Sequence, residues 1–188
     1  RCPVDGLPPI LEFDAAREAM VEPALVSESI QAPEACVICF FREIIQQIAG
    51  RPDAAELTVF EWEDAPHPLY EIPYAGRRLA FFHPGVGAPV AAGLLEEGIV
   101  AGCRKFIACG GSGVLQRGVP VGELVVVEAA VRDEGLSYHY LPPAREVAAD
   151  PRGLQALETT LRARGVPFRR AKTWTTDAPY RETRARVA

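Results

Sequence analysis

The chain has 188 residues, of which 48% are hydrophobic and 24% are charged, and its formal net charge is −5. This composition is typical of a globular protein with one substantial buried core. The sequence has no basic stretch that could follow a phosphate backbone, which excludes nucleic acid as a partner. No apolar run reaches the ~18 residues that cross a bilayer, which excludes a membrane-spanning helix. Region 162–186 is rich in arginine, but acidic residues are mixed among the arginines, so we interpret it as a solvated face.

The first 35 residues are rich in proline, glutamate and alanine and carry only short apolar clusters. We interpret residues 1–35 as an N-terminal extension that wraps around the following domain or a neighbouring subunit. Within this extension, a short helix is predicted over Asp14–Met20, with Asp14 as its cap. The α/β domain itself is expected to occupy residues 36–188.

A strand followed by a helix opens this domain. The compact apolar run Ala35–Phe41 predicts a buried strand, and Arg42–Ala49 after it has isoleucines at helical spacing. Gly50 is expected to end that helix. The elements predicted next are a strand at Leu57–Trp62 and a β-hairpin with strands at Leu69–Pro73 and Arg78–His83.

Strands and helices continue to alternate in the second half of the chain. A helix is predicted at Val90–Ala101, with Pro89 in its first turn and Gly102 at its end. The remaining predicted elements are strands at Lys105–Cys109, Glu123–Val131 and Phe168–Thr175, and a helix at Pro151–Arg164 that is capped by Asp150 and followed by Gly165. The alternation predicts an α/β layered domain with a largely parallel or mixed sheet.

The cysteines point to structural rather than metal-binding roles. The chain has five of them, at Cys2, Cys36, Cys39, Cys103 and Cys109. The Cys36–Cys39 spacing occurs in zinc sites, but no second pair with that spacing follows. On a strand, two side chains three residues apart face opposite sides. We therefore predict no metal site and interpret these residues as reduced, buried thiols, which fits a cytoplasmic location.

Two glycine-rich turns follow two of the predicted strands. The first contains Gly85 and Gly87 and precedes a helix, whose N-terminus favours a phosphate or carboxylate group. The second is made of Gly110, Gly111, Ser112 and Gly113, and it adds a hydroxyl group. Glycine lets backbone N–H groups approach an anion closely, but it also permits tight turns with no ligand, and both interpretations remain open. The sequence after Gly87 does not complete a dinucleotide-binding fingerprint.

Several motifs in succession resemble the nucleoside phosphorylase family, which includes uridine phosphorylases, hexameric purine nucleoside phosphorylases and nucleosidases. The resemblance lies mainly in residues 79–150, which contain the motifs PGVG, CGGSG, VGE and VRDEGLSYH in the family's order. It implies a three-layer α/β/α fold with a mixed central sheet. The family continues beyond the point that corresponds to Ala188, so the resemblance also implies that the C-terminal part of the fold is missing.

The resemblance implies an activity as well as a fold. Family members cleave the N-glycosidic bond of a nucleoside, and phosphorylases use phosphate to give a free base and pentose 1-phosphate. They need no metal or organic cofactor, and they rely on positioning and on stabilisation of the leaving base. The expected partners are a nucleoside, phosphate and further copies of the same chain, as a dimer, trimer or hexamer.

The family motifs assign candidate site residues but no catalytic group. The candidates for phosphate and ribose binding are Gly85, Gly87, Gly110, Gly111, Ser112 and Gly113, with Arg42 as a possible cation. The segment 175–180 resembles the loop that covers the base, and the candidates there are Trp174, Thr176, Asp177 and Tyr180. His139 is interpreted as a hydrogen-bonded structural or interface residue at a strand end, with a catalytic role as the alternative. Neighbouring acids Asp133 and Glu134 are expected to be solvated.

The chain departs from the family pattern at positions that matter for phosphate. Uridine phosphorylases carry a phosphate-binding arginine where this chain has Ala108, and a threonine where it has Gly111. The family's early G-D-P-x-R loop is also absent. Loss of an arginine clamp weakens phosphate binding, so a nucleoside hydrolase that uses water is one alternative. A non-catalytic nucleoside-binding protein is another, because the family's ribose-binding glutamate and base-protonating aspartate lie beyond Ala188.

Overall fold

A computed structural model describes residue 6 and residues 8–187. The chain forms two compact units, one of Ala16–Ser112 and the other of Arg1–Ala15 together with Gly113–Ala188. Cys2 lies outside the described residues. None of the helices in the described part of the chain is long and apolar enough to cross a membrane.

The unit Ala16–Ser112 is built on a five-stranded mixed sheet, which confirms the predicted α/β class. Its strands are β1 (Ala35–Cys39), β2 (Ala55–Glu61), β3 (Pro66–Tyr74), β4 (Arg77–Phe82) and β5 (Lys105–Cys109). They lie in the order β2-β3-β4-β1-β5. β1 is parallel to both β4 and β5, whereas β2, β3 and β4 form an antiparallel meander. The predicted hairpin is correct, although its first strand begins three residues earlier than the pattern indicated.

Two helices cover this sheet on opposite faces. Helix α1 (Arg42–Ala49) has the predicted bounds, and helix α2 (Ala88–Ala101) begins two residues before the predicted start. Leu94 of α2 packs in a cluster with Cys36 and Phe82, while Ile45 of α1 packs in a second cluster with Cys39. Successive side chains on a strand alternate between the two faces of the sheet, so residues three positions apart face opposite sides. Cys36 and Cys39 accordingly lie in different clusters, as their spacing predicted.

The second unit contains a three-stranded sheet of order β7-β6-β8. Its elements are β6 (Val125–Asp133), β7 (Glu146–Ala148), helix α3 (Pro151–Ala163), β8 (Arg169–Thr176) and helix α4 (Arg184–Val187). β6 is parallel to β8 and antiparallel to β7. The Asp150 side chain accepts a hydrogen bond from the Arg152 N–H, so the predicted cap of α3 is confirmed. The three-residue strand β7 was not predicted, because so short a segment has no readable periodicity.

The predicted helix at Asp14–Met20 is wrong. Residues 14–20 have no helical structure and are all exposed. A helix of about two turns without an apolar face to bury cannot offset the entropy of helix nucleation. The described part of the first 35 residues contains two 3-10 helices instead, at Pro9–Leu11 and Pro23–Leu25. Close to the start of β1, the N–H groups of Ile30 and Ala32 donate hydrogen bonds to the Ala101 carbonyl of α2.

Candidate functional site

Three loops meet at one edge of the five-stranded sheet. Parallel strands end at the same edge, so the carboxyl ends of β4, β1 and β5 lie side by side. The turn with Gly85 and Gly87 follows β4, and the turn that begins at Gly110 follows β5. The strand between them, β1, leads through Phe41 into Arg42, the first residue of α1. The two glycine turns therefore follow strands that are not neighbours, and β1, which leads to Arg42, lies between them.

The first turn has a conformation that requires glycine. Gly85 has a φ of +70°, and a Cβ atom there would come within 2.5 Å of Val90 Cγ1. Gly87 has a φ of +100° and caps α2. Substituted residues would be strained at both positions. These glycines are thus explained by the turn itself, and they deliver the N-terminus of α2 to the carboxyl edge.

His83 occupies a position at this edge that the sequence argument undervalued. Its Nδ1 atom accepts a hydrogen bond of 3.1 Å from the Gly85 N–H. Burial, and then the positive charge of Arg42, hold the pKa of His83 below its ordinary value, so the ring is neutral near pH 7. The available signal was its place directly after a buried strand and directly before the glycine turn.

The second turn packs against the end of β1. A Cβ atom on Gly110 would lie 3.1 Å from Phe40 Cβ, and one on Gly111 would lie 3.4 Å from the Phe41 ring. The Phe40 N–H donates to the Cys109 carbonyl over 2.9 Å. Ser112 is exposed and is the last residue of this unit, and the chain passes into the other unit at Gly113. Gly110 therefore holds two of the three loops close together.

The four cysteines that the structure describes are free thiols: Cys36, Cys39 and Cys103 are buried and Cys109 is exposed. A hydrogen bond with Cys103, together with burial, raises the pKa of Cys36. Burial, reinforced by Cys39, raises the pKa of Cys109 to about 11. A raised pKa lowers the thiolate population and with it the reactivity of the thiol. Among the residues that the structure describes, no group of three or more His, Cys, Asp and Glu side chains could hold a metal ion.

In the second unit, the motif after β6 folds into a hydrogen-bond network of its own. Arg132 is buried, and its guanidinium donates to Ser137 Oγ and to the carbonyls of Pro142 and Leu141. The Glu134 carboxylate accepts hydrogen bonds from the N–H groups of Leu136 and Ser137 and from the Ser137 hydroxyl. Glu134 is only 9% exposed, so the expectation that it is solvated is wrong. The carboxylate is used to close the turn.

The predicted base-binding residues lie in the same unit, at the end of β8. The Trp174 indole N–H donates to Asp133 over 3.0 Å, and the Arg186 guanidinium lies 5.8 Å from the Trp174 ring centroid. The Asp177 carboxylate accepts a 2.7 Å hydrogen bond from the Gly135 N–H. Trp174 and Asp133 line an open pocket of about 770 Å³ with Leu11, Tyr138, Arg145 and Arg186.

Three further predicted residues lie around this pocket or on the surface. Thr176 Oγ1 accepts from the Ala178 N–H, and its side chain also hydrogen-bonds Asp133. Tyr180 is 99% exposed. His139 is exposed and ends a 3-10 helix, Ser137–His139, rather than a strand. The structure therefore brings Trp174 and Thr176 together around Asp133 and leaves Tyr180 and His139 on the surface.

Comparison with known proteins identifies the family. A model of the phosphorylase superfamily matches residues 34–188. The chain belongs to the phosphorylase superfamily. The resemblance to nucleoside phosphorylases that its motifs indicated is thereby confirmed. Nucleoside phosphorylases of this superfamily use phosphate as a substrate and need no cofactor.

Two curated relatives match this chain over only part of their own length. The chain is 33% identical to a uridine phosphorylase of Thermococcus kodakarensis over 107 residues, which are 57% of this chain and 39% of that protein. It is 30% identical to a guanosine phosphorylase of Halorubrum lacusprofundi over 119 residues, which are 63% of this chain and 48% of that protein. The chain thus spans less than half the length of these two relatives.

Solved structures of superfamily members share the fold. A purine nucleoside phosphorylase from Toxoplasma gondii, in complex with immucillin-H, superposes with a TM-score of 0.72 at 21% identity and covers 85% of this chain and 65% of that one. A uridine phosphorylase from Vibrio fischeri gives a TM-score of 0.71 at 24% identity, with 82% of this chain and 63% of that one covered. At these identities the likeness establishes the α/β fold of nucleoside phosphorylases.

Proposed function

We propose that this chain carries the phosphate-binding part of a nucleoside phosphorylase, which cleaves an N-glycosidic bond with phosphate to give a free base and pentose 1-phosphate. The observation that carries the proposal is the convergence of three loops at one sheet edge, with Arg42 between the two glycine turns. Superfamily membership supports the reaction class. An enzyme that attacks the sugar with phosphate needs a cationic site of this kind.

The phosphate would be bound by Arg42 and by the starts of two helices. Helices α1 and α2 both begin at the carboxyl edge, and the free N–H groups of a first helical turn carry partial positive charge. Arg42 is exposed, so its guanidinium is available to an incoming anion. The hydroxyl of Ser112 would serve the phosphate or the ribose. In this proposal Arg42 takes over the role of the arginine that uridine phosphorylases carry where this chain has Ala108.

The base would be bound by the segment at the end of β8. Trp174 offers an aromatic ring beside the open pocket, and Tyr180 is exposed and free to close over a planar ligand. Asp177 holds the Gly135 N–H, so its role in the proposal is to fix the loop rather than to touch the base.

One specific observation favours a second candidate, a nucleoside hydrolase. Ala108 and Gly111 provide neither the arginine nor the hydroxyl that uridine phosphorylases use for phosphate, and a hydrolase requires only water. Dependence of base release on phosphate separates the two reactions.

The proposal is tested by chromatography of free base released from a panel of purine and pyrimidine nucleosides, with and without phosphate. Release that requires phosphate is expected. Replacement of Arg42 by Met should then raise the KM for phosphate at least tenfold, on the order of one lost charge-assisted contact. Arg77→Met is the matched control, because Arg77 is exposed at the opposite, amino end of β4. Release without phosphate would establish the hydrolase, and no release would leave nucleoside binding without turnover.

We also propose that the active form is a cytoplasmic homo-oligomer. Family members assemble because their active sites borrow residues across an interface. Large apolar side chains are exposed on this chain, including Val86, Val121, Tyr140 and Leu141. Surface of this kind is commonly covered by a partner.

A further inference from the structure

Two loops at the carboxyl edge both interact with one side chain, His83, which lies outside the motifs PGVG and CGGSG. His83 follows β4 directly, and its ring is half-buried. Its Nδ1 accepts from the Gly85 N–H over 3.1 Å, and the backbone of Phe40, on the loop after β1, lies close enough to act on the ring as a hydrogen-bond acceptor that raises its pKa, against the larger lowering by burial and Arg42. One imidazole therefore connects the loop after β4 to the loop after β1.

The hydrogen bond from the Gly85 N–H determines the tautomer of the His83 ring. The atom that accepts from Gly85 must be unprotonated, so the ring is the neutral tautomer with its proton on Nε2, which is the form that can donate to a carbonyl. Gly85 has a φ of +70°, which glycine adopts without strain, but glycine is also the most flexible residue, so a hydrogen bond from its N–H gives this one conformation support. His83 supplies that support from two residues away.

The charged groups around His83 couple the ring electrostatically to the proposed phosphate site at Arg42. Arg42, at the start of α1, lowers the pKa of His83, and Glu43, also on α1, acts in the opposite direction. His67 on β3 is the other titratable neighbour and lowers it slightly; His67 itself is buried and bonded to Asp64 over 3.2 Å. Because Arg42 acts on His83 electrostatically, an anion bound at Arg42 will also be sensed by the His83 ring.

We propose that His83 is a positioning residue for phosphate: its neutral imidazole fastens the glycine turn after β4 to the end of β1 and so keeps the N-terminus of α2 directed at the same anion as Arg42. The inference rests on the proposed function, since it assumes that phosphate binds at this edge. It assigns His83 no contact with the reacting atoms. What His83 contributes is the geometry of the two loops on either side of the anion.

The wild type, His83→Ala and His83→Asn are expected to differ in their affinity for inorganic phosphate. At about pH 8, where the imidazole is neutral, His83→Ala should bind inorganic phosphate about fivefold more weakly than the wild type, as expected for the loss of one hydrogen bond. His83→Asn should bind more tightly than His83→Ala, because its Oδ1 lies near the position of Nδ1 and can accept from Gly85, and more weakly than the wild type, because asparagine lacks Nε2. The KM for phosphate should change in the same order, with kcat changing less. Calorimetry measures the binding, and circular dichroism confirms that the variants fold.

Nuclear magnetic resonance of the wild type can detect a response of the His83 ring to phosphate, which a histidine with a purely structural role would not show. The Gly85 amide signal should titrate with the His83 ring, because protonation of Nδ1 removes its acceptor, and this inflection should be absent in His83→Asn. Saturating phosphate should raise the pKa of His83, since a bound anion favours the charged ring. A His83 pKa that phosphate leaves unchanged, or equal phosphate affinity in the wild type and His83→Ala, would overturn the proposal.

The positioning role of His83 and the proposed reaction can each be contradicted without the other. If the wild type binds phosphate and the His83 variants behave as expected but no nucleoside releases base, then the proposed reaction is wrong and the positioning role holds. If base is released with phosphate but His83→Ala binds phosphate normally, then the positioning role is wrong and the reaction holds. A wild type that does not bind phosphate at all overturns the positioning role.

Discussion

Two buried charged side chains, Arg132 and Glu134, hold the turn after β6 in place. Arg132 is 6% exposed, and three acceptors and the Tyr138 ring surround its guanidinium, with the ring centroid 4.3 Å from Cζ. Burial would raise the pKa of Glu134, but hydrogen bonds from the Ser137 hydroxyl and from the Ser137 and Leu136 N–H groups outweigh it, so the pKa is lowered overall. A buried charge is tolerated only when it is paired in this way.

Glu134→Gln should lower the free energy of unfolding by about 1–3 kcal/mol at pH 7, because the amide presents a donor to groups that need an acceptor. The folded-state pKa of Glu134 lies below its ordinary value of 4.5, so its contribution to stability is present above pH 4.5 and is lost as the pH falls through the folded pKa. Urea unfolding at pH 7 and at low pH measures both effects. The variant should show a smaller loss of stability on acidification than the wild type.

Glu18→Gln is the control for this measurement, because Glu18 is exposed and lies outside any helix or strand. It should unfold like the wild type at both pH values. If Glu134→Gln were as stable as the wild type at pH 7, the Glu134 network would not support the turn.

At the scale of elements, helix α2 shows how one side chain can fix a helix against a sheet. Trp62 lies directly over Gly93, where a Cβ atom would come within 2.4 Å of the indole ring. The indole N–H donates to Glu97, one turn further along α2, over 2.5 Å, and Glu97 also accepts from the Ser27 hydroxyl over 2.7 Å. The ring is thereby prevented from moving aside. Gly93 is therefore required by packing rather than by backbone conformation.

Gly93→Ala and Gly98→Ala, on the same helix, should have opposite effects. Alanine is favoured over glycine in a helix by about 1 kcal/mol. At Gly98 the new methyl group would lie 3.7 Å from Phe106, an ordinary contact, so Gly98→Ala should be neutral or stabilising. At Gly93 the clash with Trp62 should cost about 1–3 kcal/mol, which cancels or exceeds the helical gain.

Thermal unfolding of both variants beside the wild type checks this expectation. A Gly93→Ala protein that is as stable as Gly98→Ala would show that Trp62 is free to move, and the bond from Trp62 to Glu97 would then not fix the ring.

For the whole molecule, the exposed apolar surface is the observation that supports the proposed homo-oligomer. Val121 is fully exposed and Val86 is 85% exposed. Apolar surface of this kind is stabilised when another chain covers it.

Light scattering coupled to size-exclusion chromatography should therefore give a mass of two, three or six copies of the chain. A mass that stays at one copy, 20.4 kDa, as the protein concentration is raised would contradict the proposed homo-oligomer. Elution in high salt serves as the control, because association through apolar surface persists when charge screening is increased.

Local sequence patterns determined the element types and the family of this protein. The bounds of α1, the cap of α3 and the strand β5 follow from isoleucine spacing, from Asp150 and from a short apolar run, all of which act within a few residues. The Asp14–Met20 helix failed because a capping residue alone cannot stabilise a helix that has nothing to pack against.

The α/β class, the two glycine turns and the membership of the superfamily could be predicted from the sequence. Which of these parts lie together depended on the folded arrangement of the strands. Strand order placed β1 between the glycine turns and brought Arg42 to the edge, and it set His83 against Gly85 and the end of β1. Strand order depends on contacts between residues far apart in the chain, which no local pattern encodes.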